Sequence, residues 1–268
     1  MASEAATFLA PKTGARTKAK RGGSPFFYGM SLLLLAIVLV GFAPTFYLRA
    51  IFPTPSIPPY LYVHGIVLTA WFIWLPLQTS LVRSGRLAQH RAMGVAGATI
   101  AAGVVLVGPM AAMGLVPRAL SAGLHWTTDM STVLGPPMAG VKMIDFFTRL
   151  VTINLISITA FALLVGAAIV LRRKSAWHKR LILLGSLAII TPALGRISRL
   201  PHLGGENGPL SLIVLFALLL ALIGHDVLTR RKLHPANIAG VGVIAAGVVA
   251  QQLIAASDWG HAFVRALG

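Results

Sequence analysis

Seven long apolar runs, separated by short polar stretches, dominate the hydrophobicity pattern of the chain. A helix needs about 20 apolar residues to cross a bilayer, and each run is close to that length. The pattern therefore predicts an all-α fold, a polytopic transmembrane bundle of seven helices over residues 27–47, 60–82, 93–116, 144–171, 181–197, 210–228 and 236–256. Residues 1–25 are expected to form a disordered basic cytoplasmic tail, and residues 26–268 the transmembrane domain. The longest connection, residues 117–142, is expected to be interfacial or re-entrant.

Composition supports lipid as the solvent for most of this surface. The chain has 268 residues, of which 56% are hydrophobic and only 11% charged, whereas a soluble domain is about 25% charged. One membrane domain accounts for the whole length. The chain has no cysteine, which excludes disulfides, thiolate catalysis and cysteine-ligated metal sites.

The net charge of +17 comes from 23 Lys and Arg against six acids, and most of the basic residues lie in the N-terminal tail and in three of the six connections. This distribution follows the positive-inside rule and predicts an N-terminus inside and a C-terminus outside. The basic inner loops are expected to contact anionic lipid. No basic face interleaved with aromatic residues is evident, so nucleic acid is not an expected partner.

Two of the runs, 93–116 and 236–256, are built largely from small residues. Small residues four apart let helix backbones approach closely. Such pairs predict tight helix packing at Gly94/Ala98, Gly97/Ala101 and Gly242/Ala246. Prolines inside three runs predict kinks, at Pro76, Pro109 and Pro192.

Eight histidines divide between the two predicted faces of the bundle. Paired imidazoles at matching depth on facing helices are what a b-type haem requires. The candidate haem or ligand residues are His64, His90, His178 and His202. His64 would pair with His125 or His202 on the outer side, and His90 with His178 on the inner side. The alternative is that these histidines simply collect at the two membrane interfaces.

Other polar residues fall at or near membrane depth. Gln78, Asn154 and Gln251 are expected to face the bundle interior, because polar side chains are costly in lipid. They would form interhelical hydrogen bonds or line a substrate path. Asp145 and Arg149 are four residues apart at the outer start of the fourth run and predict an ion pair.

A resemblance is carried by the segments HGIVLTAWFIWLPLQTSLV, GRLAQHR, WHKRLILLG with TPALGR, and HPANI. Over about residues 60–250 the chain resembles a widespread group of uncharacterised bacterial multipass membrane proteins. The resemblance implies a bacterial plasma (inner) membrane protein, but it implies no particular activity. The two hairpins with His and Arg are loosely similar in pattern, but not in haem ligands, to those of b-type membrane cytochromes.

Three functions remain open from the sequence. The leading expectation is a non-enzymatic bundle that binds a small ligand, a lipid or a partner subunit in the membrane. The alternatives are a redox protein linked to haem b or quinone, and a small transporter that uses the polar residues of the second, fourth and seventh runs.

Overall fold

The computed structural model describes residues 23–52, 54, 56–135, 138–198 and 210–268. Within these ranges the chain forms α-helices, one π-helical turn and no β-strand. The helices are α1 (Pro25–Phe42, continued by the π-helical turn Ala43–Tyr47), α2 (Pro59–Arg83), α3 (Leu87–Ala92), α4 (Gly94–Met113), α5 (Leu115–Ser121), α6 (Ser131–Leu134), α7 (Met143–Val170), α8 (Ser175–Ala188), α9 (Thr191–Ile197), α10 (Leu210–Arg230), α11 (Pro235–Ala255) and α12 (Asp258–Arg265).

The helices confirm a multi-pass, all-α membrane bundle. Six helical stretches in the described ranges are long and apolar enough to cross a membrane, and the bent pair α8–α9 makes seven when it is counted as one span. The helices α3, α4 and α5 follow one another in a single stretch, Leu87–Ser121. The expected tail is residues 1–25. Residues 1–22 lie outside the described residues, so only the last three positions of the tail are described.

Prolines set several helix boundaries. Pro25, Pro59 and Pro235 each open a helix, where a missing N–H costs nothing because first-turn N–H groups have no partner in the helix. Pro192 acts differently, because it cannot donate to the carbonyl of Ala188. The chain bends by 48° between α8 and α9 at this point, which confirms the kink expected there. Pro76 and Pro109 lie inside helices that continue past them.

The core of the bundle is built around α7, which packs on α4, α8, α11 and α12, while α1 packs on α2 and α9. A continuous apolar cluster fills the middle and includes the fully buried Phe72, Phe161 and Leu184. One polar bond crosses this cluster, from Trp71 Nε1 on α2 to Ser186 Oγ on α8 at 3.1 Å. Trp71 of α2 therefore contacts α8 through its N–H and Phe161 of α7 through its ring.

Small residues mediate close helix contacts, but only partly at the expected positions. A Cβ added to Gly97 would lie 2.6 Å from Trp74 Nε1 on α2, so this position is as tight as expected. Gly94 and Gly242 have no neighbour within 4 Å, and both face outward. The expectation was wrong for these two, because a spacing of four residues does not say which side of the helix meets a neighbour. On α11, Gly240 makes the close contact instead, against Leu184.

Replacing Gly97 with leucine should destabilise the bundle by about 1–3 kcal/mol, the usual cost of overpacking. The added side chain would push against Trp74, whose ring is held between α2 and α4. Gly94→Leu is the matched control, since it makes the same change three residues earlier in open space. Thermal unfolding in detergent should show a lower midpoint for Gly97→Leu alone. Equal midpoints for the two variants would mean that α2 and α4 are not packed at Gly97.

The start of α1 and the turns α2–α3, α7–α8 and α10–α11 meet at one end of the bundle, called here the basic end. Ser24 Oγ lies 3.4 Å from His225 Nε2, and the rings of Trp177 and His234 are 5.5 Å apart. Exposed basic residues surround this end, at Arg83, Arg86, Arg91, Arg172, Arg173, Lys174, Arg230, Arg231 and Lys232.

The opposite end of the bundle is covered by α12 and by the connection before α7, whose structure the apolar runs did not predict. The short helix α12 returns against α7, and its Val264 is buried beside Val116 of α5 and Met143 of α7. The connection before α7 is organised by Asp129, whose carboxylate accepts the backbone N–H groups of Ser131 and Gly140, both at 2.8 Å. Hydrogen bonding from the Ser131 side chain, and then from these N–H groups, lowers the pKa of Asp129. The carboxylate is therefore charged at neutral pH.

Candidate functional site

Two histidines from different helices meet at the basic end. His90 lies on α3 and His178 in the first turn of α8. Their ring centroids are 6.3 Å apart and the ring planes are inclined by 74°. Of the histidine pairs expected from the sequence, this is the one that the described residues bring together.

Each histidine is positioned by a turn at the end of a long helix. Gly85, with φ of +77°, takes a left-handed conformation that favours glycine and lets the chain turn from α2 into α3. The last carbonyls of α7 lack partners within their own helix. Nδ1 of His178 lies 2.8 Å from one of them, the carbonyl oxygen of Ala168. This bond holds the His178 ring over the end of α7.

The hydrogen bond to Ala168 also fixes the chemistry of His178. A carbonyl oxygen only accepts, so Nδ1 donates a hydrogen bond to it and Nε2 is the nitrogen that faces a ligand. The His90 imidazole lies beside the backbone carbonyl of Gln78, and its Nδ1 is buried without a hydrogen-bond partner. The pair therefore offers at least one nitrogen lone pair to a ligand.

Buried polar atoms without hydrogen-bond partners lie on His90 and on the last three turns of α2, which precede it in the chain. Of the eight such atoms in the described residues, four belong to Trp74, Gln78 and His90: the indole Nε1, both amide atoms and the imidazole Nδ1. Trp74 and Gln78 are one turn apart on α2 and share a face. Each unpartnered buried polar group costs about 1–3 kcal/mol. Trp74, Gln78, His90 and His178 are called the histidine site below.

The electrostatic surroundings of the histidine site are positive. The loops that carry its histidines also carry exposed basic side chains, Arg86 and Arg91 on one and Arg172, Arg173 and Lys174 on the other. The one acid that the described residues place at the basic end is Asp226, which is already bound to Arg180. The site therefore suits a ligand with negative charge at its edge.

A second polar cluster lies beside the histidine site and was not expected from the sequence. Arg180 of α8 is 1% exposed and Asp226 of α10 is fully buried. The Arg180 guanidinium donates to both carboxylate oxygens of Asp226, through Nε at 3.0 Å and through Nη2. Asn237 Nδ2 of α11 donates to the same carboxylate at 2.8 Å. Asp226 therefore ties α8, α10 and α11 together, and Arg180 is buried, unlike the exposed Arg172, Arg173 and Lys174 that precede it.

His234 completes the surroundings of this ion pair, between α10 and α11. Its backbone N–H lies 3.3 Å from Asp226 Oδ2, and its Nδ1 accepts the N–H of Ala236 at the start of α11. Burial, and then the nearby Arg180 charge, lower the pKa of His234. The ring is thus neutral at pH 7 and caps α11 as a hydrogen-bond acceptor.

Within the described residues, the remaining candidate histidines do not pair with one another. His64 lies between α2 and α4, with Nδ1 3.4 Å from the carbonyl oxygen of Val107. Its expected partner His125 is exposed in the connection after α5, where its backbone N–H donates to Thr128. The other expected partner, His202, lies outside the described residues.

The expected interior amides are placed in three different settings. Gln78 belongs to the histidine site. Asn154 donates to the carbonyl of Leu150 in its own helix at 2.6 Å, and Gln251 is buried on α11. These three amides do not form one polar cluster.

The ion pair expected between Asp145 and Arg149 is not formed, which corrects the sequence prediction. Asp145 Oδ1 instead lies 3.2 Å from His261 Nε2 on α12, and Arg149 is exposed. The reason is the return of α12 onto α7, which brings a histidine next to Asp145. A spacing of four residues along α7 could not reveal that competitor.

Comparison with protein-family models, curated proteins and solved structures finds no match for this chain. Within the described ranges, no three His, Asp or Glu side chains are grouped closely enough to hold a metal ion. The histidine site, with its two imidazoles and its unpartnered amide and indole, is the candidate functional site among the described residues.

Proposed function

We propose that this multi-pass membrane protein is a binding protein that holds a small ligand in the histidine site at its basic end. The observation that carries the proposal is the set of four buried, unpartnered polar atoms on Trp74, Gln78 and His90. Buried polar groups are normally hydrogen-bonded, so such a concentration calls for an explanation. A bound ligand would supply the missing partners.

The site defines the chemistry of the ligand. The Trp74 indole only donates, whereas the Gln78 amide both donates and accepts. The imidazoles add nitrogen lone pairs or N–H donors, depending on the tautomer. A fitting ligand has an apolar body, a few polar atoms directed at these groups, and negative charge that reaches the arginines of the neighbouring loops.

The proposed setting is the plasma membrane of a bacterium, with the basic end on the cytoplasmic side. The positive-inside rule supports this orientation. The exposed arginines and lysines of the three basic loops would contact anionic lipid headgroups, each worth about 1 kcal/mol near the surface. A partner subunit in the membrane remains part of the proposal, because wide apolar faces of α4, α10 and α11 point outward.

Replacing Gln78 with leucine should stabilise the ligand-free protein by about 1–3 kcal/mol, because two buried atoms without partners are removed. A binding residue is commonly kept at a cost in stability. The protein would be synthesised in vitro in detergent micelles without added cofactors, and its thermal unfolding followed by circular dichroism. We expect a higher midpoint for Gln78→Leu than for the wild type.

Asn237→Leu is the matched control, since it makes the same change at a buried amide whose Nδ2 donates to Asp226 and only whose Oδ1 lacks a partner. It should lower the midpoint, because the Asp226 carboxylate loses a donor. If Gln78→Leu lowers the midpoint as much as Asn237→Leu, Gln78 stabilises the empty bundle and is not reserved for a ligand. The proposal would then lose its main support.

A further inference from the structure

The separation of the two imidazoles is that of a pair sharing one metal ion. A metal–nitrogen bond to histidine is about 2.0 Å long and each nitrogen lies about 1.1 Å from its ring centre, so two imidazoles in line with a metal have centroids about 6.2 Å apart. The centroids of His90 and His178 are 6.3 Å apart. The two rings come from α3 and α8, helices that pack chiefly on other neighbours: α3 on α2 and α4, α8 on α7 and α11.

The ring nitrogens of His178 are arranged as they are in a metal-binding histidine. A ligating imidazole usually donates its second N–H to a backbone carbonyl or a carboxylate, which fixes the tautomer and the orientation of the ring. Nδ1 of His178 does this with the carbonyl of Ala168 at 2.8 Å. For His178 this leaves Nε2 as the ligating atom. His90 has a buried Nδ1 without a hydrogen-bond partner and presents its ring toward His178 from α3.

The number of protein ligands distinguishes a haem site from a site for a metal ion alone. A structural zinc site takes four protein ligands and a catalytic one takes three, but the described residues contain no such group. Haem iron already has four nitrogen ligands in its macrocycle and needs from the protein only axial ligands, of which two are sufficient. A site with two imidazoles therefore fits haem.

The charged surroundings fit the two propionates of haem, which are anionic. The loops beside His90 and His178 expose five basic side chains within six residues of one or the other histidine, at Arg86, Arg91, Arg172, Arg173 and Lys174. Such side chains form strong charge-assisted hydrogen bonds with carboxylates.

From these observations we infer that the ligand of the histidine site is haem b, bound through Nε2 of His178 and the imidazole of His90. This inference rests on the proposed binding function and names its ligand. When bound, the group would supply a six-coordinate iron with no position open to a substrate. His90 and His178 would hold the iron, and the arginines of the two loops would bind the propionates.

The test is the visible spectrum of the full chain, produced in cells supplied with a haem precursor and purified in detergent. We expect about one haem per protein, with a strong Soret band and sharp bands on reduction. His90→Ala and His178→Ala should each lower bound haem at least tenfold. His64→Ala and His125→Ala are the matched controls and should bind haem as the wild type does.

Two further results protect the test against misfolding and misassignment. His90→Met keeps an axial ligand of the kind found in cytochromes, so a folded His90→Met protein should retain haem with a shifted reduced spectrum. Loss of haem in His64→Ala with full retention in His90→Ala would overturn the assignment of the site. A folded wild-type protein that stays colourless with ample haem would overturn the haem inference alone, because a stabilising Gln78→Leu would still support a different ligand.

Discussion

Asp226→Ala should lower the free energy of unfolding by about 3–5 kcal/mol, the cost of leaving a buried charge without its partner. Arg180 is 1% exposed, so its guanidinium would stay away from water after the carboxylate is removed. Asn237 would lose its acceptor in the same step. Chemical unfolding in mixed micelles, followed by helical circular dichroism, measures this loss.

A double replacement separates two contributions to the free energy of unfolding. One is the penalty for leaving one buried charge alone, and the other is the net stabilisation from the intact ion pair. Arg180→Met with Asp226→Leu removes both charges, and such exchanges are often neutral or stabilising. We expect the double variant to be much closer to the wild type than Asp226→Ala. Asp145→Ala, at the partly exposed contact with His261, should change stability by less than about 1 kcal/mol. A similarly small loss in Asp226→Ala would show that the Arg180–Asp226 pair is not buried.

The Arg180–Asp226 pair matters for the histidine site because Arg180 and His178 both lie near the start of α8. Arg180 follows His178 by two residues, and its bonds to Asp226 of α10 fix the rotation of α8 about its axis. The hydrogen bond from His178 to Ala168 fixes the same turn against α7. The position of the His178 ring is thus determined from two sides before any ligand binds, which lowers the entropic cost of binding.

The spans could be predicted from the sequence because lipid imposes a length and an apolar composition on each one. The meeting of His90 and His178 could also be predicted, since both begin helices that leave the same face at similar depth. The start of α8 was predicted six residues late. Ser175 and Lys179 look like loop residues, yet they belong to the first turns of the helix. Arg180 was consequently assigned to the lipid-facing loop.

Side-chain partners across helices could not be predicted, because helix periodicity does not tell which helices are neighbours. Asp226 is the one acid that the described residues place at the basic end, but only the packing of α8 against α10 and α11 selects Arg180 as its partner. The same limit applies to Asp145, whose partner His261 arrives on the short helix α12. It applies equally to Gly242, which a small-residue spacing alone placed at an interface.

The central claim is that the histidine site holds a ligand, and extraction of that ligand tests it most directly. Wild-type protein and the double variant His90→Ala with His178→Ala would be purified from the same host. Their small molecules would be extracted and quantified by liquid chromatography and mass spectrometry, with His125→Ala as a control for the exposed loop. The account predicts one compound at near-unit stoichiometry in the wild type and in His125→Ala, reduced at least tenfold in the folded double variant. Identical extracts from all three proteins would contradict it.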